Sequence, residues 1–161
     1  MRTLELLEAQ QKICALHAQR LQMALNKLKP SLPFNTNNLS NLDSEHLGYL
    51  ELLTNRFTKL QDTIGAKIFP LILEALEEQE DISKKTFIDI LNRLEKLEIL
   101  PSSDHWRDMR DIRNHITHEY PENPNIMVVN LNKSIGFIED LLSYWSALNT
   151  RIECLINDQK K

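Results

Sequence analysis

Breakers of regular structure are scarce in this chain, and they come in clusters. Only three glycines and six prolines occur in 161 residues, and the prolines stand at positions 30, 33, 70, 101, 121 and 124. Glycine and proline are the strongest local interrupters of a helix, so the long intervals between them must be filled by long elements. Within those intervals the apolar residues recur at steps of three and four, the period of an amphipathic helix. Leu, Ile, Glu and Lys are frequent while aromatics make up only 6%, a composition that favours helix over strand. The expected fold class is all-α, a five-helix up-and-down bundle in a single domain covering residues 1–161.

The pattern places the helices as follows. The first spans 3–28, where Leu7, Cys14, Leu21 and Leu28 repeat at seven-residue spacing and Ile13, Leu16, Ala24 and Leu25 widen the stripe. Pro30 and Pro33 stop it, and 29–43, rich in Asn, Ser and Pro, reads as a long loop. Asp43 or Ser44 caps a second helix over 45–78. Its inner face runs from Leu47 to Leu76, and Pro70 imposes a kink or break near Phe69. The acidic run 74–81 reads as a fraying tip in solvent, because carboxylates oppose the dipole at a helix C-terminus. Ser83 is expected to cap a third helix over 84–99, Ser102 or Ser103 a fourth that runs to about Glu119, and the last helix covers 126–156. Residues 157–161 read as a disordered tail.

Net charge is −4, which argues against broad electrostatic coating of nucleic acid but leaves room for a local basic cleft. Cys14 and Cys154 belong to no Cys-x-x-Cys pair and are expected as reduced, buried thiols; a disulfide tying the first helix to the last is the alternative. The start of the chain carries Glu5 and no long apolar run, so no signal peptide is expected there. No stretch has the apolar length of a membrane span. A cytoplasmic location without membrane contact is the expectation.

Chemistry concentrates in residues 107–121, which hold Arg107, Arg110, Arg113, Asn114, His115, Thr117, His118 and Tyr120 before Pro121. On a helical wheel Trp106, Met109, Ile112 and Ile116 form the buried face, and Arg113 falls at its border. Thr117, Arg110, Asn114 and His118 follow around the adjacent polar sector, while His115 and Asp111 point away. A guanidinium binds phosphate in a fork and keeps its charge at neutral pH, and a histidine moves protons near pH 7. The pair suits phosphodiester cleavage by a neighbouring 2′-hydroxyl, which needs a base, an acid and charge stabilisation but no metal. The five-residue spacing of Arg113 and His118 makes them converge only if the ligand lies across the strip or a second helix closes it. The bland alternative is a solvated face in which the arginines pair with Asp104, Asp108 and Asp111. His115 with His118 or Glu119 has the spacing of metal ligands, but no metal or other cofactor is expected.

Arg113-Asn-His-Ile-Thr-His118-Glu-Tyr120 resembles the Arg-x4-His-x-Tyr motif of HEPN-domain proteins, in particular the HepT-like toxins. The resemblance implies a helical bundle that forms a homodimer, with the motif helices of two copies enclosing one cleft. It implies a metal-independent endoribonuclease of a toxin–antitoxin pair, with Arg113 and His118 catalytic and Asn114, Arg110 and Thr117 supporting or RNA-binding. It further implies a minimal nucleotidyltransferase antitoxin as partner and Tyr120 as the site to which that partner attaches AMP. Related helical proteins are substrate-binding subunits of nucleotidyltransferases, so a non-catalytic partner subunit is the second function that the resemblance implies.

Overall fold

The computed structural model describes residues 2–77, 80–117 and 123–161. All regular structure among the described residues is helical. The bundle is laid out around α1 (Arg2–Leu28), which packs mainly on α3 (Ser44–Thr63) and also touches α4 (Phe69–Leu76) and α7 (Pro124–Gln159). The seven-residue series Leu7, Cys14, Leu21 and Leu28 is buried, joined by Ala18, Ala24 and Leu25. Ile13 and Leu16 do not widen this stripe: both are 43% exposed and share an outward face with Leu6 and Met23. Their offset from the seven-residue series puts them across the helix from the core.

After α1 the chain passes through a 3₁₀ turn at Lys29–Ser31. The stretch expected as a loop contains one short helix, α2 (Thr36–Ser40), which begins with a reciprocal cap between Asn35 and Asn38. Asn132 of α7 anchors this stretch. It accepts from the Phe34 backbone N–H and donates to the Phe34 carbonyl, each at 2.9 Å.

Asp43 caps α3, accepting from the His46 backbone N–H at 2.8 Å. The expected kink at Pro70 takes the form of a π turn over Ile64–Ile68, after which α4 continues the helix. Proline lacks a donor and its ring crowds the carbonyl one turn back. Here the preceding turn widens, and Phe69 N–H donates to the carbonyl of Ile64, five residues earlier. The inner face holds from Leu50 to Leu73, but Leu47 and Leu76 at its two ends are exposed.

The acidic run at the end of α4 is exposed at Glu74, Glu80 and Asp81, as expected of a solvated tip, but its carboxylates also have partners. Thr3 donates to Glu74 at 2.9 Å, Arg93 pairs with Glu77, and Lys85 with Glu80 at 2.8 Å. Glu78 and Gln79 lie outside the described residues. Ser83 sits in a 3₁₀ turn (Ile82–Lys84) capped by Asp81. The cap of α5 (Phe87–Lys96) is Thr86, in a capping box with Asp89. The α5 exit uses Glu98 in the left-handed region (φ 58°), and Ile99 N–H returns to the Leu94 carbonyl at 2.9 Å. This is the helix-ending geometry that glycine usually supplies.

Helix α6 (Ser103–Thr117) and the long α7 close the bundle. The buried positions of α7 are Leu131, Ser134, Ile138, Leu141, Trp145, Leu148, Ile152 and Ile156, a run of alternating three- and four-residue steps until the last. The helix continues to Gln159, through residues that composition alone assigns to a tail. Cys14 is buried, and burial pushes its thiol pKa up to about 12, whereas Cys154 is exposed and the two are not bonded. The expectation of two buried thiols fails at Cys154, which falls between the core-facing Ile152 and Ile156 on another side of α7. No helix among the described residues is long and apolar enough to cross a membrane.

Candidate functional site

Helix α6 is capped by Ser102, whose Oγ accepts from the His105 backbone N–H at 3.1 Å. Trp106, Met109 and Ile112 are buried, and Ile116 packs half-buried beside them, as the wheel predicts. Trp106 lies against Phe69 of α4, with ring centroids 4.9 Å apart. This apolar wedge fixes the rotation of α6 about its axis, and with it the direction of each polar side chain.

Arg113 lies at the border of the buried face. Its side chain is only 13% exposed, and it reaches α3, where Nη1 donates to Asp62 Oδ1 at 2.6 Å. Its Nε is buried without a hydrogen-bond partner among the described residues. The local alternative of a solvated i, i+3 ladder is therefore replaced at this position by a cross-helix pair. Of the expected ladder, Arg107 keeps Asp104, at 3.9 Å and well exposed. Arg110 instead lays its guanidinium over the Phe87 ring of α5, 4.8 Å from the centroid. Phe87 also borders Gly65, three residues beyond Asp62: a Cβ on Gly65 would stand 3.5 Å from the Phe87 ring. Arg110 and Arg113, one turn apart, thus face one wall built from Asp62, Gly65 and Phe87.

Asn114 is exposed. His115 points away from the core, and its Nδ1–H donates to the Asp111 carbonyl at 2.7 Å. A carbonyl oxygen can only accept, so this contact fixes the proton on Nδ1. Thr117 is the last described residue of α6. His118 and Tyr120, the other two positions of the motif, lie outside the described residues.

On the other side of α6 a groove of about 360 Å³ is lined by Trp106, Met109 and Tyr144, with His105 Nε2 3.2 Å from Asp140 Oδ2. None of the motif residues that the structure describes lines it. No group of three or more His, Cys, Asp or Glu side chains among the described residues is placed to hold a metal ion.

Sequence reasoning missed Asp62 and Phe87. Asp62 lies 51 positions from its partner, and nothing in local spacing relates the two. The available signal was the burial of Arg113 itself, because a half-buried guanidinium needs an acceptor. No protein-family model, no curated protein and no solved structure matches this chain.

Proposed function

We propose that the chain is a HEPN-type, metal-independent endoribonuclease, the toxin of a toxin–antitoxin pair, with Arg113 and His118 as its reacting side chains. The observation that carries this reading is the sequence motif Arg113-Asn114-x3-His118-x-Tyr120, together with the way Arg113 is held on α6. Asp62 fixes one guanidinium nitrogen while the apolar face of α6 fixes the helix, so the charge is oriented before any ligand arrives. Such preorganisation makes a charged group effective on a developing phosphorane.

In the reaction His118 takes the proton of a ribose 2′-hydroxyl. The 2′-oxygen attacks the adjacent phosphorus and the bond to the 5′-oxygen breaks. The products are a 2′,3′-cyclic phosphate and a 5′-hydroxyl, which receives its proton from a general acid. Arg113 stabilises the added negative charge. In the proposed homodimer a second α6 supplies the other wall of the strip. The partner is a minimal nucleotidyltransferase, which joins the Tyr120 oxygen to the α-phosphorus of ATP and releases pyrophosphate. The attached AMP places a phosphate and a bulky base beside the motif and blocks RNA.

The engagement of Arg113 by Asp62 also favours a second reading, in which the guanidinium is structural and the protein is a non-catalytic binding subunit of a nucleotidyltransferase. The two separate on one comparison. Arg113→Ala and His118→Ala should each abolish RNA cleavage while leaving the helical circular dichroism signal and melting profile cooperative. The fold should survive Arg113→Ala because Asp62, 52% exposed, can be hydrated once released. Wild-type protein that forms a stable complex with a nucleotidyltransferase but cleaves no RNA establishes the second reading. An intact mass higher by one AMP, absent in Tyr120→Phe, tests the modification separately.

A further inference from the structure

A second set of cations lies in the groove between α1 and α3, away from the motif. Arg56 of α3 donates from Nη1 to Nδ1 of His17 on α1 at 2.8 Å. Arginine is always protonated, so the imidazole accepts at Nδ1 and is neutral. Burial is the largest cause of a lowered His17 pKa, followed by the charges of Arg56, Lys59 and Arg20. Four basic side chains thus share one groove. No carboxylate pairs with Arg20, Arg56 or Lys59 among the described residues. Arg56 Nε is buried and has no hydrogen-bond partner there. Like charges brought together without a counter-ion repel, and an imidazole that must stay neutral offers no compensation. The deficit is local, in a chain whose net charge is −4.

The charges are also staggered along the helix axes. The contacts His17–Arg56 and Lys27–Tyr49 show that α1 and α3 run antiparallel. Three residues advance a helix by about 4.5 Å. Arg20 therefore lies about 4.5 Å to one side of the His17–Arg56 contact along the groove, and Lys59 about 4.5 Å to the other side. One further step along α3 reaches Asp62, which holds Arg113. Each three-residue step also turns the side chain about 60° around α3, so Arg56 faces α1 while Asp62 faces α6.

We propose that the α1–α3 groove binds the phosphates of an extended phosphodiester strand, with Arg56 as the half-buried anchor and Arg20 and Lys59 as exposed flanking contacts. The identification of the strand as RNA rests on the proposed function; the groove's phosphate chemistry rests on its own charges. A phosphate beside Arg56 and its exposed neighbours would neutralise these charges.

The test is fluorescence anisotropy with a labelled twelve-nucleotide 2′-O-methyl oligouridylate. That probe keeps every phosphate but has no free 2′-hydroxyl, so binding is read without cleavage. Arg20→Glu/Lys59→Glu should weaken binding at least tenfold at moderate salt. Loss of two phosphate contacts should also flatten the salt slope by about 1.4, at roughly 0.7 per contact on a single strand. Both residues are exposed and carry no ion pair among the described residues, and a control pair, Lys133→Glu/Lys160→Glu, makes the same change in net charge elsewhere. The control should bind within twofold of wild type. Equal affinity of the groove variant and wild type, no binding by wild type, or equal binding of a twelve-residue polyglutamate would each overturn the proposal. Weakened binding in the groove variant with no cleavage of ordinary RNA by wild type would leave the groove standing while the ribonuclease reading falls. Cleavage with unchanged groove affinity would do the reverse.

Discussion

Arg113 and Arg56 are both half-buried guanidiniums on the flanks of α3, each with a buried Nε that has no partner among the described residues. They differ in what they donate to. Arg113 meets a carboxylate, Asp62, and its charge is compensated within the fold. Arg56 meets an imidazole that contributes no negative charge and is flanked by two further cations. The difference separates two uses of the same side chain. A compensated guanidinium is oriented at little electrostatic cost, whereas an uncompensated one raises the energy of the free protein and is relieved by an incoming anion.

The largest expected effect is at the compensated pair. Asp62→Ala leaves Arg113 buried without its acceptor and should cost about 1–3 kcal/mol by urea denaturation. Arg113→Met keeps the stem, removes the charge and should cost less. The double variant should be more stable than Asp62→Ala alone, giving a coupling of the sign a real pair requires. If Asp62→Ala costs no more than Arg113→Met, the pair is not what holds Arg113.

At the uncompensated site the sign reverses. Arg56→Met should leave stability unchanged or raise it by up to about 1 kcal/mol, because a like charge leaves the groove. Added salt should stabilise wild type through this cluster and do so less in Arg56→Met. A destabilisation as large as that of Asp62→Ala would erase the contrast between the two arginines.

The pH dependence sharpens it further. The folded-state pKa of His17 is lowered, first by burial and then by Arg56, Lys59 and Arg20. The unfolded chain therefore takes up the proton more readily than the folded one, and stability falls as pH drops through and below the ordinary histidine range near 6.5. His17→Gln should remove this part of the acid slope without changing stability above that range. An unaltered slope between pH 7 and pH 5 would mean that His17 is not held neutral. The smallest effect is at Arg110, where Phe87→Leu removes the ring beneath an exposed cation and should cost about 0.5–1 kcal/mol beyond the change in apolar burial.

Much of the scaffold could be read from period alone. Trp106, Met109 and Ile112 are buried where the wheel puts them, and Arg113 occupies the border of that face. What failed did so for definable reasons. Ile13 and Leu16 are apolar and one or two positions from core residues, so composition drew them inward although the rotation of α1 turns them out. Ser83 and Thr86 both have capping chemistry, and only the reciprocal contact with Asp89 chooses between them. Asp62 and His17 acquire their roles from neighbours 51 and 39 positions away. Those pairings exist only once α3 has packed on α6 and α1, and no local spacing encodes them.

The most direct measurement of the proposed chemistry is a gel assay of labelled RNA in excess chelator, using protein shown by intact mass to be free of AMP and of any partner. Strand cleavage leaving 2′,3′-cyclic phosphate and 5′-hydroxyl ends, abolished in both His118→Ala and Arg113→Ala, is the expected result. RNA left intact by the wild-type protein would contradict it.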